Sequence, residues 1–209
     1  MHQALKTKFI EGGAGFMALV IACLILGLAL CIERILYLGF SKTNTKKLLA
    51  KIEDALKNGG VAAATDVCRN TRGPVASIFT QALIRLGDGQ SLEEVEKSVV
   101  SYGGVEASKM EQNLSWISLF IAIAPSLGFL GTVIGMIQAF DAIMVAGDMS
   151  PAVVAGGMKV ALITTVGGLI VAVILQIFFN YILSQVEALT IDMEDASITL
   201  MDILVKYQK

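Results

Sequence analysis

The side chains of this sequence that could do chemistry in an apolar setting are the hydroxyls of Thr132, Thr164 and Thr165. Each lies in a long stretch free of charged residues, where a hydroxyl donates and accepts hydrogen bonds but does not titrate near neutral pH. A proton relay through such a region generally needs an acidic, basic or histidine side chain, and these stretches contain none. Proton chemistry at these threonines would therefore require a carboxylate from another protein.

Other kinds of site are not indicated. His2 is the single histidine, and the scattered carboxylates give no metal-ligand spacing. Cys23 and Cys31 would lie about 12 Å apart along a helix, too far for a disulfide, and Cys68 is alone, so we interpret all three as packing residues. No nucleophile and base come together, and the glycines of 128–135 lack the Lys-Ser/Thr of a phosphate loop, so an enzyme is the weakest alternative.

The elements that must position the threonines are membrane-spanning helices. The 209 residues are 55% hydrophobic and 16% charged, and a formal charge of −2 leaves no basic surface for nucleic acid. Three charge-free windows, 12–32, 112–140 and 160–186, contain 21, 29 and 27 residues, more than the roughly 18 that a spanning helix requires. The second and third windows exceed the bilayer core, so we expect their helices to continue outside it.

We therefore predict an all-α integral membrane protein with three transmembrane helices, two of which extend into a cytoplasmic helical bundle. The predicted segments are the N-terminal segment 1–11, the first transmembrane helix 12–38, the cytoplasmic helical domain 39–111, the second transmembrane helix 112–140, the outward-facing loop 141–159, the third transmembrane helix 160–186 and the C-terminal helix 187–209.

The distribution of Lys and Arg predicts the orientation. Residues 34–113 carry eleven and the C-terminal tail two, against three on the other side, which places the N-terminus outside and the C-terminus in the cytoplasm. The first window also resembles a signal peptide, but it is long, and Leu30 is too large for the cleavage position. We expect it to remain as an uncleaved anchor.

The segments outside the membrane have helical rather than catalytic patterns. Residues 45–57 place four aliphatic residues on one face, and a second amphipathic helix follows Pro74. Breaks are predicted at 58–60 and 87–89, and a capping box from Ser91 to Glu94 opens another helix.

A heptad pattern follows the third window and predicts a seam between helices, either within the chain or between subunits. Its members are Ile182, Val186, Leu189, Met193, Ala196, Leu200, Ile203 and Tyr207.

Two stripes of small residues run along the second and third windows. Such stripes allow helices to pack closely, or they line a space that water or another helix occupies, and the residues alone favour close packing. The first stripe comprises Pro125, Gly128, Gly131, Thr132, Gly135 and Ala139, and the second Ala161, Thr165, Gly168 and Ala172.

At these residues the sequence resembles the MotA/TolQ/ExbB proton-channel family, and the three-span layout is similar to its ExbB and TolQ branch. The similarity is carried by Ala124-Pro125 with residues 128–136, and by residues 161–169 with Asn180. Glu33-Arg34 also resembles the charge pair that often closes the first span. Two departures are Val160, where many relatives have Glu, with Lys159 beside it, and Ile174, where many have Pro.

The resemblance implies a homo-pentamer in the inner membrane of a Gram-negative bacterium, surrounding an ExbD- or TolR-like single-span partner that supplies a membrane Asp. Thr132 and Thr165, with Thr164 beside them, match the positions that line the proton pathway, and the small stripes match the partner-facing surface. No cofactor is implied, and the coupling ion is H⁺. The implied function is an ExbB-like motor subunit that energises TonB-dependent outer-membrane transport through a TonB-like protein. The alternatives are a TolQ-like motor for envelope integrity, a MotA-like stator and a passive membrane scaffold. The MotA-like branch is the less similar one, because its layout resembles a longer chain with four spans.

Overall fold

Every regular element in the described part of the chain is an α-helix. The computed structural model describes residues 14–146 and 151–208. The helices are α1 (Ala14–Ser41), α2 (Thr45–Arg69), α3 (Pro74–Gly87), α4 (Leu92–Met110), α5 (Leu114–Ala146) and α6 (Pro151–Gln208).

Within residues 14–146 and 151–208, three helices are long enough and apolar enough to cross a membrane, which confirms the predicted all-α membrane fold. Helices α5 and α6 both continue into the segment predicted as the outward-facing loop 141–159. Nothing in residues 141–146 breaks a helix, and Pro151 suits a first helical position because it has no N–H to leave unpaired. The predicted N-terminal segment 1–11 lies outside the described residues.

The described residues divide into two compact units, each with its own core. Residues 14–33, 113–146 and 151–181 form the first, which we call the membrane unit. Residues 34–112 and 182–208 form the second, which we call the helical unit.

In the membrane unit, α1 packs through one narrow face. Its buried positions Val20, Cys23, Gly27 and Cys31 recur every three or four residues, as expected for one side of a helix. A Cβ added at Gly27 would lie 2.7 Å from both Cδ atoms of Leu175 on α6, so this glycine lets a large side chain reach the α1 backbone. The buried cysteines belong to this packing, as predicted.

In the helical unit, the predicted breaks lie where the backbone needs glycine. Gly60 has a φ of +71° and interrupts α2, and Gly89 has a φ of +80° just after α3 ends. The capping box that opens α4 is confirmed: the Ser91 N–H donates to Glu94 Oε2 at 2.8 Å, and the Glu94 N–H donates to Ser91 Oγ at 3.3 Å.

The predicted seam on α6 is used inside the chain. Six of its members are buried in the helical unit, namely Ile182, Val186, Leu189, Met193, Ala196 and Leu200. The prediction is wrong for the last two members of the seam. Ile203 is half-buried and Tyr207 is exposed, while the neighbouring Leu204 is fully buried. A straight helix has 3.6 residues per turn rather than 3.5, so its buried face drifts away from a strict heptad.

Arg34 begins the helical unit as a buried cation with 4% exposure. Its Nη1 donates to Lys109 O at 3.1 Å, and its guanidinium lies 4.6 Å from the centre of the Tyr37 ring. Lys109 Nζ in turn pairs with Glu106 Oε1 at 2.8 Å, and this hydrogen bond raises the pKa of Lys109. The predicted interface charge Arg34 thereby fixes the start of this unit to the end of α4.

Candidate functional site

The two small-residue stripes pack against each other within the membrane unit. A Cβ added at Gly128 would lie 2.8 Å from Thr164 O and 3.0 Å from Thr165 Cα, which is too close for any real side chain. At Gly131 it would lie 2.9 Å from Thr164 Oγ1, and at Gly135 it would lie 3.4 Å from Ala161 Cβ. The backbone of α5 therefore lies directly on α6, which is the close-packing alternative.

The α6 stripe contributes in the same way. A Cβ added at Gly168 would overlap Ala124 O and would lie 3.2 Å from Pro125 Cα, while one at Gly157 would overlap Ala139 Cβ. Gly157 was missed from the sequence because it lies in the segment predicted as a loop. Its spacing of four residues before Ala161 was the signal that could have found it.

Within this contact, the hydroxyls of Thr132 and Thr165 meet across the two helices. The two Oγ1 atoms are hydrogen-bonded to each other. Thr132 Oγ1 is also 3.2 Å from Gly128 O and 3.0 Å from Ala161 O, and Thr165 Oγ1 is 3.3 Å from Gly128 O. We call these two side chains the hydroxyl pair.

Thr164 sits beside the pair and limits its acceptors. Its side chain is 1% exposed, and its Oγ1 donates to Ala161 O at 2.7 Å. The same carbonyl accepts the helical N–H of Thr165, so its two lone pairs are occupied. Thr132 Oγ1 nevertheless lies 3.0 Å from this carbonyl, so the pair shares Ala161 O with Thr164 and has Gly128 O as its second carbonyl acceptor.

The hydroxyl pair has two possible proton arrangements. Because the two oxygens are in contact, one hydroxyl must donate to the other, and the acceptor then donates to a carbonyl. Reversing both donors gives a second arrangement on the same heavy atoms. In either arrangement, the hydroxyl that donates to its neighbour keeps a lone pair for an external donor.

The surroundings of the pair are apolar, and in the described parts of the three charge-free windows the titratable side chains are the thiols of Cys23 and Cys31 and the phenol of Tyr181. Both threonines are half-buried, so a group outside the chain can reach them, whereas Thr164 cannot be reached. Each buried side-chain nitrogen or oxygen in the described residues has a hydrogen-bond partner. The site is therefore a satisfied, uncharged polar contact in an apolar helix interface.

The remaining predicted site residues lie at the edges of this contact. Pro125 and Ala172 are half-buried, and the buried position next to Ala172 belongs to Val171. The predicted interface charges Glu33 and Lys159 are on the surface of the single chain, and each makes an interaction there.

Comparison with known proteins gives the family. Residues 70–195, which contain the whole hydroxyl pair, match the model of the MotA/TolQ/ExbB proton channel family. A biopolymer transport ExbB homolog of Methanothermobacter thermautotrophicus is 33% identical over 86% of this chain and 63% of its own length. An ExbB-like protein of Synechocystis is 26% identical over 75% of this chain and 74% of its own length.

A solved structure shares the fold. The structure of C. jejuni MotAB matches with a TM-score of 0.62 and 16% identity, covering 94% of this chain and 76% of that chain. The chain spans just under two thirds of the archaeal relative. Since the family model covers more than half of the sequence and includes the paired threonines, the chain belongs to the MotA/TolQ/ExbB proton channel family.

Proposed function

We propose that this chain is the ExbB-like subunit of an inner-membrane motor driven by the proton-motive force. In this proposal, a homo-pentamer of the chain surrounds an ExbD- or TolR-like single-span protein that supplies an Asp within the membrane. A TonB-like protein carries the work to outer-membrane transport. The similarity to ExbB-like relatives supports this branch, and the N-terminus is then periplasmic and the C-terminus cytoplasmic.

The observation that carries the proposal is the half-buried hydroxyl pair of Thr132 and Thr165. Hydroxyls cannot take up a proton at neutral pH, but they can solvate a carboxyl group in either protonation state. An ionised Asp beside the pair accepts a charge-assisted hydrogen bond from it. A protonated Asp donates to the pair instead, so the hydrogen bonds of the pair reverse when the carboxyl group gains a proton.

Because of this reversal, the chain binds the partner with a different strength in each protonation state of the Asp. The charged carboxylate is held at the pair, because it has no other strong donor in an apolar helix interface. The neutral acid is held more weakly and is free to move past the small-residue surface. Successive protonation and deprotonation would then move the partner helix relative to the ring.

Replacing the paired threonines with valine tests the proposal. Valine has nearly the volume of threonine but no hydroxyl, so T132V/T165V should keep the helix packing and abolish proton-dependent transport. T199V is the matched control, because Thr199 is on the same helix in the helical unit and its hydroxyl donates to Asp195 O of its own helix. Transport is measured as proton-dependent uptake, and assembly by native mass spectrometry. Normal uptake by the double variant would exclude the role of the pair.

Two alternatives have different signatures. A TolQ-like role in envelope integrity uses the same site, and it predicts leaky cells with normal outer-membrane uptake after deletion of the gene. A passive scaffold uses the stripes only for packing, so its activity would not depend on the membrane potential. Native mass spectrometry of the complex adds a further test, since a ring without an Asp-bearing companion would favour the scaffold.

A further inference from the structure

Gln176 and Asn180 are amide side chains deep within the third predicted span. The next charged residue towards the C-terminus is Glu187, eleven residues or about 17 Å beyond Gln176 along a helix. Towards the N-terminus, the next charged residue is Lys159, seventeen residues or about 26 Å away. Gln176 therefore lies near the middle of a hydrocarbon core about 30 Å thick, where a polar side chain is costly and usually has a function.

The two amides satisfy each other only in part, and we call them the amide pair. Gln176 Nε2 donates to Asn180 Oδ1 at 3.3 Å, one turn along the same helix. This bond leaves Gln176 Oε1 as an acceptor and Asn180 Nδ2 as a donor, and no other hydrogen bond of either amide group is found among the described residues. Lipid tails offer neither donors nor acceptors, so water or another protein must complete these hydrogen bonds.

The amide pair lies on the same side of α6 as the hydroxyl pair. Gln176 follows Thr165 by eleven residues, which is three turns and about 20° of a helix, so the two side chains lie almost one above the other. Asn180 is about 40° further round. Helix α1 contacts the opposite side of α6: a Cβ added at Gly167, half a turn from Gln176, would lie 3.3 Å from Met17 Cε. A carboxyl group held at the hydroxyl pair would therefore have the amide pair below it on the same side.

The hydroxyl pair is much further from the cytoplasm than from the other side of the membrane. In the proposed orientation, Thr165 is six residues or about 9 Å from Lys159 on the outward side. It is twenty-two residues or about 33 Å from Glu187 on the cytoplasmic side. The amide pair provides polar groups along this longer distance, and Ala172, above Gln176 on the same side, carries only a methyl group and leaves room for water beside the helix.

We propose that the amide pair holds a chain of water molecules through which protons pass between the hydroxyl pair and the cytoplasm. This inference rests on the proposed function, to which it adds the path of the proton on the cytoplasmic side. Amides donate and accept hydrogen bonds without titrating, so they can order water without binding the proton. The first water takes the proton that the partner's carboxyl group releases, each water passes on one of its own protons, and the last water releases one to the cytoplasm.

Two other environments could surround the amide pair, and both exclude water. Lipid would leave its remaining donors and acceptors unsatisfied, which is unfavourable. A neighbouring copy of the chain could complete its hydrogen bonds directly, as polar side chains do between membrane helices. The shared side with the hydroxyl pair favours water, because the proposed function requires this side to exchange protons.

Accessibility of introduced cysteines tests the proposal in the assembled complex. A172C, Q176C and N180C are made singly and labelled in inverted membrane vesicles, which expose the cytoplasmic side to a charged, membrane-impermeant methanethiosulfonate reagent. F178C is the matched control, because it lies at the same depth and about 160° round the helix from Gln176. The wild-type chain, with its three buried cysteines, gives the background. Because the reagent reacts only with thiols that water reaches, we expect Q176C and N180C to react at least about tenfold faster than F178C, and A172C to react at a rate between them.

A second pair of variants tests whether the water carries protons. Q176M keeps the length of the side chain without its amide and should lose most of the proton-dependent uptake, whereas F178L should keep it. Assembly of every variant is checked by native mass spectrometry, and if one amide position fails to assemble, the other position and A172C decide. Reaction of these positions at the F178C rate, or normal uptake by Q176M, would overturn the proposal.

The result can be separated from that of T132V/T165V. Loss of uptake in the double variant together with unreactive amide positions would leave the proposed motor in place and exclude this path. Normal uptake in the double variant together with reactive amide positions would exclude the motor and show water at the amide pair without a proton pathway.

Discussion

Replacing Gly168 with alanine should force α5 and α6 apart. The added Cβ would overlap Ala124 O, a helical carbonyl that cannot turn away as a flexible side chain can, and would also press on Pro125 Cα at 3.2 Å. Gly156, in the same helix, is the matched control, because a Cβ there meets nothing within 4 Å. The two variants add the same methyl group to the same helix and differ only in what that group touches.

The expected difference in the free energy of unfolding follows from two opposing effects. Overpacking against a rigid neighbour costs about 1–3 kcal/mol, and contact with backbone favours the upper part of that range. Alanine gains about 1 kcal/mol over glycine in a helix at either position. G168A should therefore be destabilised by about 2 kcal/mol and G156A stabilised by about 1 kcal/mol.

The buried thiols of Cys23 and Cys31 provide the assay, because both lie in the membrane unit with these glycines. Their labelling by a thiol-reactive dye, followed during unfolding of a C68A background with sodium dodecyl sulfate in mild micelles, reports when this unit opens. Unfolding midpoints that coincide for G168A and G156A would refute the close contact between the stripes.

Three further predictions concern the helical unit. G73A should be more destabilising than G89A in thermal unfolding: both glycines have positive φ, but a Cβ on Gly73 would also lie 2.8 Å from Ser41 O, whereas Gly89 is open. R34K should cost about 1–3 kcal/mol, measured by chemical unfolding against exposed R85K, because lysine cannot both bond Lys109 O and stack on Tyr37 as the guanidinium does. Burial raises the pKa of the Cys68 thiol to about 12. The stability that the protonated thiol contributes is therefore complete below the thiol pKa of the unfolded chain and is lost as pH rises towards 12. C68A should flatten the alkaline part of a curve of stability against pH, and an unchanged curve would contradict this effect of burial.

The helices and several of their ends follow from local chemistry and could be predicted from the sequence, although the ends of α5 and α6 within 141–159 could not. Charge-free windows give the spans because a charge in the bilayer is costly, and the breaks at Gly60 and Gly89 coincide with positive φ angles. The Ser91 capping box forms because its partners are three residues apart. Each of these features depends only on residues that are close together in the sequence.

The details of the site depend on how two helices face each other, which local patterns do not specify. Thr164 and Thr165 are adjacent in sequence and were both predicted to line the pathway, but a rotation of about 100° between them buries Thr164 and leaves Thr165 in the pair. That Thr164 lines an ion pathway therefore remains a prediction. Its buried side chain does not reach the half-exposed side of the interface. The same facing angle places Val171 rather than Ala172 in the buried row.

The reversible hydroxyl pair has a consequence for the speed and free energy of switching. Two arrangements give the resting site an entropy that a bound carboxyl group removes, at a cost of at most about 0.4 kcal/mol, the value for two equally populated states. Passing from one arrangement to the other turns two O–H bonds and leaves Thr132, Thr165 and Gly128 in place. The hydroxyl pair would thus reorient on the timescale of hydrogen rotation, which is fast compared with the movement of a helix. Its hydrogen bonds would therefore always match the charge of the carboxyl group that faces it.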